Sequence, residues 1–224
     1  KKDKKVVIIL VVIILIVLIF ALSFVLRILN NKKFDVYKNK IESYGFNELY
    51  NNSRASSYQS VTKLEVIKLV LSATFNTNNN DFLENNDEGT WINYALKVGV
   101  LANEEKNSIK SRATYLDAIT YISKAKYYLL DKEYNTSVVP TFKDYNEYSN
   151  QAKVNIADLV SENLIENSTN KLKGKQKITK GVVNNLISEY FDMREEVLRV
   201  KKDFKRNLNK YNNSMTLLED IINS

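Results

Sequence analysis

Residues 61–70 read VTKLEVIKLV. Thr62 and Glu65 stand three apart at the head of an apolar-periodic run. That is the T-x-x-E pattern of a capping box, in which each side chain takes a backbone N–H that the first helical turn leaves without an acceptor. A similar opening recurs twice. Lys110-Ser111-Arg112-Ala113-Thr114 leads into Tyr115 to Ile122, and Ile178-Thr179-Lys180-Gly181-Val182 leads into Val183 to Ile187. On this reading Thr62, Ser111 and Thr179 are the three N-caps. Only the first has its acidic partner, because Thr114 and Val182 occupy the matching positions in the other two.

A second set of signals precedes each opening. Val98-Gly99-Val100-Leu101 and Asn163-Leu164-Ile165 each put a Gly or Asn before an apolar pair, and Tyr44-Gly45-Phe46 puts a Gly before a single apolar residue. Gly and Asn tolerate the left-handed conformation that ends many helices, so Gly45, Gly99 and Asn163 are expected helix stops. Phe34-Asp35, then Asp87 and Gly89 ahead of Trp91-Ile92-Asn93-Tyr94-Ala95, and Phe142-Lys143-Asp144 open the three units. The extra length between the second and third units falls around Asp131 to Thr141, which carries Pro140 and reads as a linker.

The order of these features resembles the S-layer homology (SLH) family. That family repeats a unit of about fifty residues, with an F-x-D opening, a Trp-Ala helix, a Gly-apolar turn and an I-T-R-A-E signature. The resemblance rests on Phe142-Lys143-Asp144, on Trp91 with Gly99-Val100-Leu101, and on the signatures at 61–65, 110–114 and 178–182. The chain departs from the pattern in several places. The signature Arg is Lys63, Arg112 and Lys180, its Glu survives only as Glu65, and the Trp occurs once. The resemblance implies a pseudo-threefold helical domain whose grooves bind anionic cell-wall polysaccharide, on the wall-facing side of a Gram-positive-type bacterium. It implies that Lys63, Arg112 and Lys180 face acidic sugar groups, with Thr62, Ser111 and Thr179 beside them and Trp91 stacked on a sugar ring.

Val6 to Leu26 has Ser23 as its only polar side chain. At about 1.5 Å per residue such a helix approaches the roughly 30 Å core of a bilayer. It is longer than the apolar region of a signal peptide. The reading is a single-pass membrane anchor, with the following domain outside the cytoplasm.

Composition excludes much chemistry. The chain has no Cys and no His, which removes thiol nucleophiles, His-based catalytic pairs and Cys/His metal sites. Its 5 Gly are not clustered into a phosphate-binding loop. Of the net charge of +7, residues 1–30 supply +4 and the remaining 194 residues +3, so no domain-wide nucleic-acid footprint exists. The densest basic run is Lys171-Leu172-Lys173-Gly174-Lys175-Gln176-Lys177, which suits either contact with a teichoic-type polymer or anionic lipid surface or a solvated loop. The polar stretch Asn76 to Asn86 carries Asp81 and Glu84 but lacks the order of a calcium loop. No cofactor, metal or catalytic residue is expected.

From Val182 to about Ile222 there is neither Gly nor Pro. Apolar residues recur at Tyr190, Met193, Val197, Val200, Phe204, Leu208, Tyr211, Met215, Leu218 and Ile222. The steps of three and four form a heptad-like seam with one irregular step after Phe204. It suits packing on the domain, self-association or docking of an envelope protein.

The expected architecture is mainly α: an anchor over 1–30, an SLH-like domain over 31–190 and an amphipathic C-terminal helix over 191–224. The repeats fall at about 34–75, 87–130 and 142–190. The expected function is a non-catalytic cell-envelope protein with the bilayer and wall polysaccharide as partners. The alternative is a membrane-tethered assembly module using the repeats and the last helix, alone or as a homo-oligomer.

Overall fold

The computed structural model describes residues 11–26, 58–75 and 87–222. The front of the first repeat with its Gly45 stop, the Asn76 to Asn86 stretch and the start of the apolar run lie outside these residues. The described helices are α1 (11–26), α2 (Lys63–Thr74), α3 (Glu88–Lys97), α4 (Tyr115–Leu130), α5 (Asn150–Ser161) and α6 (Lys180–Ile222). The protein is mainly helical. Among the described residues there is no strand, only three isolated bridges.

Those bridges lie where the helical units meet. Ser60 pairs with Thr179, Thr62 with Arg112, and Thr114 with Lys177. The amide of Lys63 donates to Ser111 O (3.0 Å), that of Tyr115 to Gln176 O (3.0 Å), and that of Lys180 to Gln59 O (2.8 Å). Lys63, Tyr115 and Lys180 are therefore equivalent, each the first residue of a helix that leans on the next unit's loop. Val61, Ala113 and Ile178, two residues earlier, are all buried.

This register corrects the second signature. Thr114, not Ser111, is the N-cap of α4. Its Oγ1 accepts the Asp117 amide (3.1 Å), and Asp117 Oδ2 accepts the Thr114 amide (2.7 Å). The carboxylate three residues on decides the matter, since a cap that can close the reciprocal box outcompetes one that cannot. Ser111 instead contributes its carbonyl to Lys63. The second signature is thus Ala113-Thr114-Tyr115-Leu116-Asp117, and its acidic partner is present. Thr62 and Glu65 form the expected box at α2.

The two described helix stops hold. Gly99 has φ 77° and Asn163 φ 59°, both left-handed. Leu101 N reaches back to Ala95 O and Ile165 N to Leu159 O, closing the ends of α3 and α5.

α4 packs on α2, α5 and α6, while α2 also packs on α6 and α3. Ile67, Leu71, Ile119, Tyr121, Ile122, Ile156, Leu159, Ile187 and Tyr190 fill the centre. Tyr190 shares a 2.7 Å hydrogen bond with Thr74 Oγ1, and Arg194 Nε donates to Thr74 O (3.2 Å), so α6 closes the C-terminal end of α2. The C-terminal helix is one piece from Lys180, continuous with the third unit rather than a separate element beginning at 191.

A buried ion pair fastens α4 to α5. Lys126 bonds Asp158 with both side chains fully enclosed, and its ammonium also donates to Glu133 O (3.0 Å). Asp158 further accepts Ser123 Oγ (2.6 Å) and Asn135 N (2.7 Å). The 131–141 segment, expected to be a linker, is strapped to α5 by these bonds and by Lys132 to Glu162.

Of the apolar run, residues 11–26 are helical with every side chain exposed. That length is about 24 Å. Among the described residues no helix is long and apolar enough to cross a membrane.

Two predictions follow from the cap and the ion pair. Thr114→Ala is expected to cost about 1–2 kcal/mol and Ser111→Ala almost nothing, read as urea midpoints. Lys126→Met is expected to cost about 3–5 kcal/mol because it strands a buried carboxylate. The double variant Lys126→Met/Asp158→Asn is expected to recover part of that loss.

Candidate functional site

The clefts between units are where the three signature positions were expected to meet a ligand. The structure separates their fates. At the cleft between the first two units, Lys63 lies between Asp117 (3.0 Å) and Glu105 (3.8 Å), and its side chain is only 15% exposed. Glu105 also accepts the Tyr121 hydroxyl (3.1 Å). The Lys63 charge is answered inside the protein, so it is not a free anion contact. Asp117, which the corrected register places at the acidic position, is what captures it.

Lys180 is 6% exposed and buried at the start of α6. Its amide donates to Gln59 O of the first unit, and the burial of its side chain removes it from any open groove. Arg112 is exposed but lies in the bridge to Thr62, three residues before its expected place, and Tyr115 holds the equivalent position. Trp91 is 3% exposed and packs in the core, with the Lys68 ammonium 5.9 Å from its ring centroid. It has no open face for a sugar. Thr62 serves as a helix cap, and Ser111 serves through its carbonyl.

The cleft between the second and third units is different. Tyr115, Lys173, Gln176, Lys177, Thr179 and Val182 line a cleft of about 240 Å³, floored by Leu172 and Ile178. Lys173 and Lys177 line it and are exposed, Lys171 and Lys175 are exposed on the same loop, and Lys177 Nζ donates to the Arg112 carbonyl (2.8 Å). One aromatic ring, an amide, a hydroxyl and the side chains of two lysines thus line one concavity. Such a set offers stacking for a ring face and charge-assisted hydrogen bonds for anionic groups.

The cleft's loop is held from below by Asp144, the acidic residue of Phe142-Lys143-Asp144. Its carboxylate accepts the Leu172 amide (2.7 Å), the Lys173 amide (2.9 Å) and the Tyr148 hydroxyl (2.8 Å). Tyr148 in turn accepts the Gly174 amide (2.8 Å), and a Cβ on Gly174 would come within 2.9 Å of the Tyr148 ring. Lys173 is left-handed at φ 57°, a conformation that costs a non-Gly residue about 1–2 kcal/mol. The Asp144 anchor and the Gln176 N to Lys173 O bond (2.8 Å) hold it there.

Burial and the Asp144 hydrogen bond push the Tyr148 phenol up to about 12. Burial works to raise the Asp144 carboxyl, but the Tyr148, Leu172 and Lys173 donors outweigh it and hold the group below its ordinary value. Glu162 is lowered in the same way, with burial opposed by Lys132 and Lys126. Among the described residues no group of three or more acidic side chains could hold a metal ion.

Lys173, Gln176 and Lys177 belong to the basic run that the sequence offers as a contact for an anionic polymer or lipid surface, whereas nothing in the sequence reading singles out Tyr115. The Thr114–Asp117 box was the available signal, because it puts Tyr115 in the signature place and aligns Gln176 with Ser111.

A carboxyl lowered by folding stabilises the protein above its unfolded value and loses that effect as the pH falls through its folded value. The Asp144 and Glu162 contributions are therefore expected to be complete at pH 7 and to decline below about pH 4. Urea midpoints from pH 7 to 2.5 should fall in that range, and Asp144→Asn should flatten the decline.

No protein-family model and no curated protein matches the chain.

Proposed function

We propose that the chain is a non-catalytic, membrane-anchored protein of the cell envelope whose SLH-like helical domain binds anionic cell-wall polysaccharide through the cleft at Tyr115. The observation that carries this reading is the juxtaposition of Tyr115, Gln176 and Thr179 with Lys173 and Lys177 over an apolar floor. The cyclic linkage of the three unit starts agrees with the three-repeat resemblance read in the sequence. The basic grip is carried by the loop before the third signature, and not by Lys63, Arg112 and Lys180 as the resemblance implies.

The anchor is the run from Val6 to Leu26. Its described part is apolar apart from Ser23, whose hydroxyl donates to Ile19 O, and is exposed, with Phe20 at 72%. A helix apolar on every side suits a bilayer rather than water. The domain then faces the wall, where polymers rich in phosphate or uronic acid meet the lysines. The second reading, a tethered assembly module, is favoured by the exposed apolar seam on α6.

The test is co-sedimentation of the full chain, in mild detergent, with cell-wall sacculi carrying or stripped of their secondary polymers. Polymer-dependent pelleting that weakens with salt is expected. Lys173→Ala and Lys177→Ala should each reduce affinity about tenfold. Lys63→Ala should lower stability without changing the affinity of the folded protein. Absence of pelleting by the folded chain would overturn the glycan reading.

A further inference from the structure

α6 runs unbroken from Lys180 to Ile222. Its first half is core, with Val183, Leu186, Ile187, Tyr190 and Phe191 buried. Lys201 Nζ still reaches the domain, donating to Leu130 O (2.7 Å). Beyond Lys201 the helix continues for about 30 Å. Its described apolar side chains there lie open: Phe204 is 68% exposed, Leu208 45% and Met215 40%.

At 100° per residue, Val197, Val200, Phe204, Leu208 and Met215 fall within a stripe about 80° wide. A face that covers a globular core or lies in a membrane interface is wider. A narrow stripe of this kind is the seam of a coiled coil. The sequence continues the spacing at Tyr211, Leu218 and Ile222. Residues 196–222 thus offer about four heptads, the length at which such a seam becomes a useful signal.

The edges of the seam choose the partner. Glu189, Glu196 and Asp203 recur seven apart along one edge. Lys201 and Lys205 lie along the other, while Arg194, earlier on that edge, is buried and held by Thr74 O. In a parallel pair of identical helices, the first edge of one chain faces the second edge of its partner, five residues further on. Glu196 then meets Lys201 of the second copy on each side. The Lys201 ammonium has three donors, so it can keep Leu130 O and still take a carboxylate. An antiparallel pair would set acidic edge against acidic edge. The surface pairs Glu196–Arg199 at 3.9 Å and Asp203–Arg206 at 3.4 Å lie within one helix, and Lys201–Asp131 at 3.9 Å joins two exposed side chains, so none of the three competes strongly.

We propose that residues 196–222 pair with the same residues of a second copy of this chain as a parallel, in-register two-stranded coiled coil. The irregular step from Phe204 to Leu208 locally unwinds the supercoil without breaking the seam. This inference does not depend on glycan binding. It specifies the assembly reading by naming the partner as the chain itself.

The absence of Cys supplies the test. Phe204→Cys places the sole thiol on the seam, where like residues of a parallel in-register pair come within disulfide reach. Arg206→Cys places it on the opposite face. The full chain in mild detergent, under mild oxidation, should give a covalent dimer roughly tenfold faster from Phe204→Cys than from Arg206→Cys. Leu208→Cys should repeat the result if Phe204→Cys is poorly folded. In the Phe204→Cys background, Glu196→Lys should slow cross-linking and Glu196→Lys/Lys201→Glu should restore it. The unmodified chain should sediment as a dimer. A monomeric mass, equal rates from both faces, or a dimer whose seam thiols do not cross-link would each overturn the proposal.

Discussion

A helix leaves its first N–H groups without acceptors of its own, and in this domain the neighbouring unit supplies them. For α2, Lys63 N goes to Ser111 O and Leu64 N to Ile109 O, while Thr62 and Glu65 settle the remaining pair between themselves. For α4 the same arrangement uses Gln176 O, Gly174 O and the Thr114–Asp117 box. Lys180 N turns back to Gln59 O and closes the ring. Buried backbone donors must be paired somewhere. Here that requirement cannot be met by any unit alone. The loop ahead of each signature is fixed because the next helix start depends on it.

The ring fixes backbones and leaves side chains free to diverge. At the first cleft the signature position carries Lys63, which Asp117 and Glu105 draw inward. At the second it carries Tyr115, and the loop opposite exposes its lysines to solvent. The same geometry therefore gives one sealed contact and one open, basic concavity. Asp144 links the two levels of organisation. It anchors the loop backbone at Leu172 and Lys173, and so sets where the Lys173 and Lys177 ammonium groups stand. The assignment of anionic polysaccharide to that concavity is a proposal built on this chemistry.

The parts of the fold governed by local rules were legible. Thr62 with Glu65 announces a cap through side-chain spacing alone, and Gly99 and Asn163 announce helix ends because few other residues accept a positive φ. The seam on α6 follows from period. The failures came where two local candidates competed or where tertiary packing overrode residue type. Ser111 and Thr114 are both good caps, and the carboxylate of Asp117 decides between them. Lys180 looks like a surface cation, but the ring fixes its amide on Gln59 O and its side chain is buried. Trp91 looks like a stacking platform, but a large apolar ring on a short amphipathic helix gains more by burial. The basic loop at 171–177 was visible as charge, yet its pairing with Tyr115 depends on a register that only the folded ring reveals.

Amide hydrogen exchange at Lys63, Tyr115 and Lys180, followed by NMR on the full chain, tests the interlocked ring most directly. These three amides sit at helix starts, where isolated helices fray and exchange quickly. The account predicts that all three exchange only with global unfolding, with equal free energies of opening that fall together when Thr114 is replaced by Ala. Fast exchange at any of them, or opening free energies that differ between the three while the helix interiors stay protected, would contradict it.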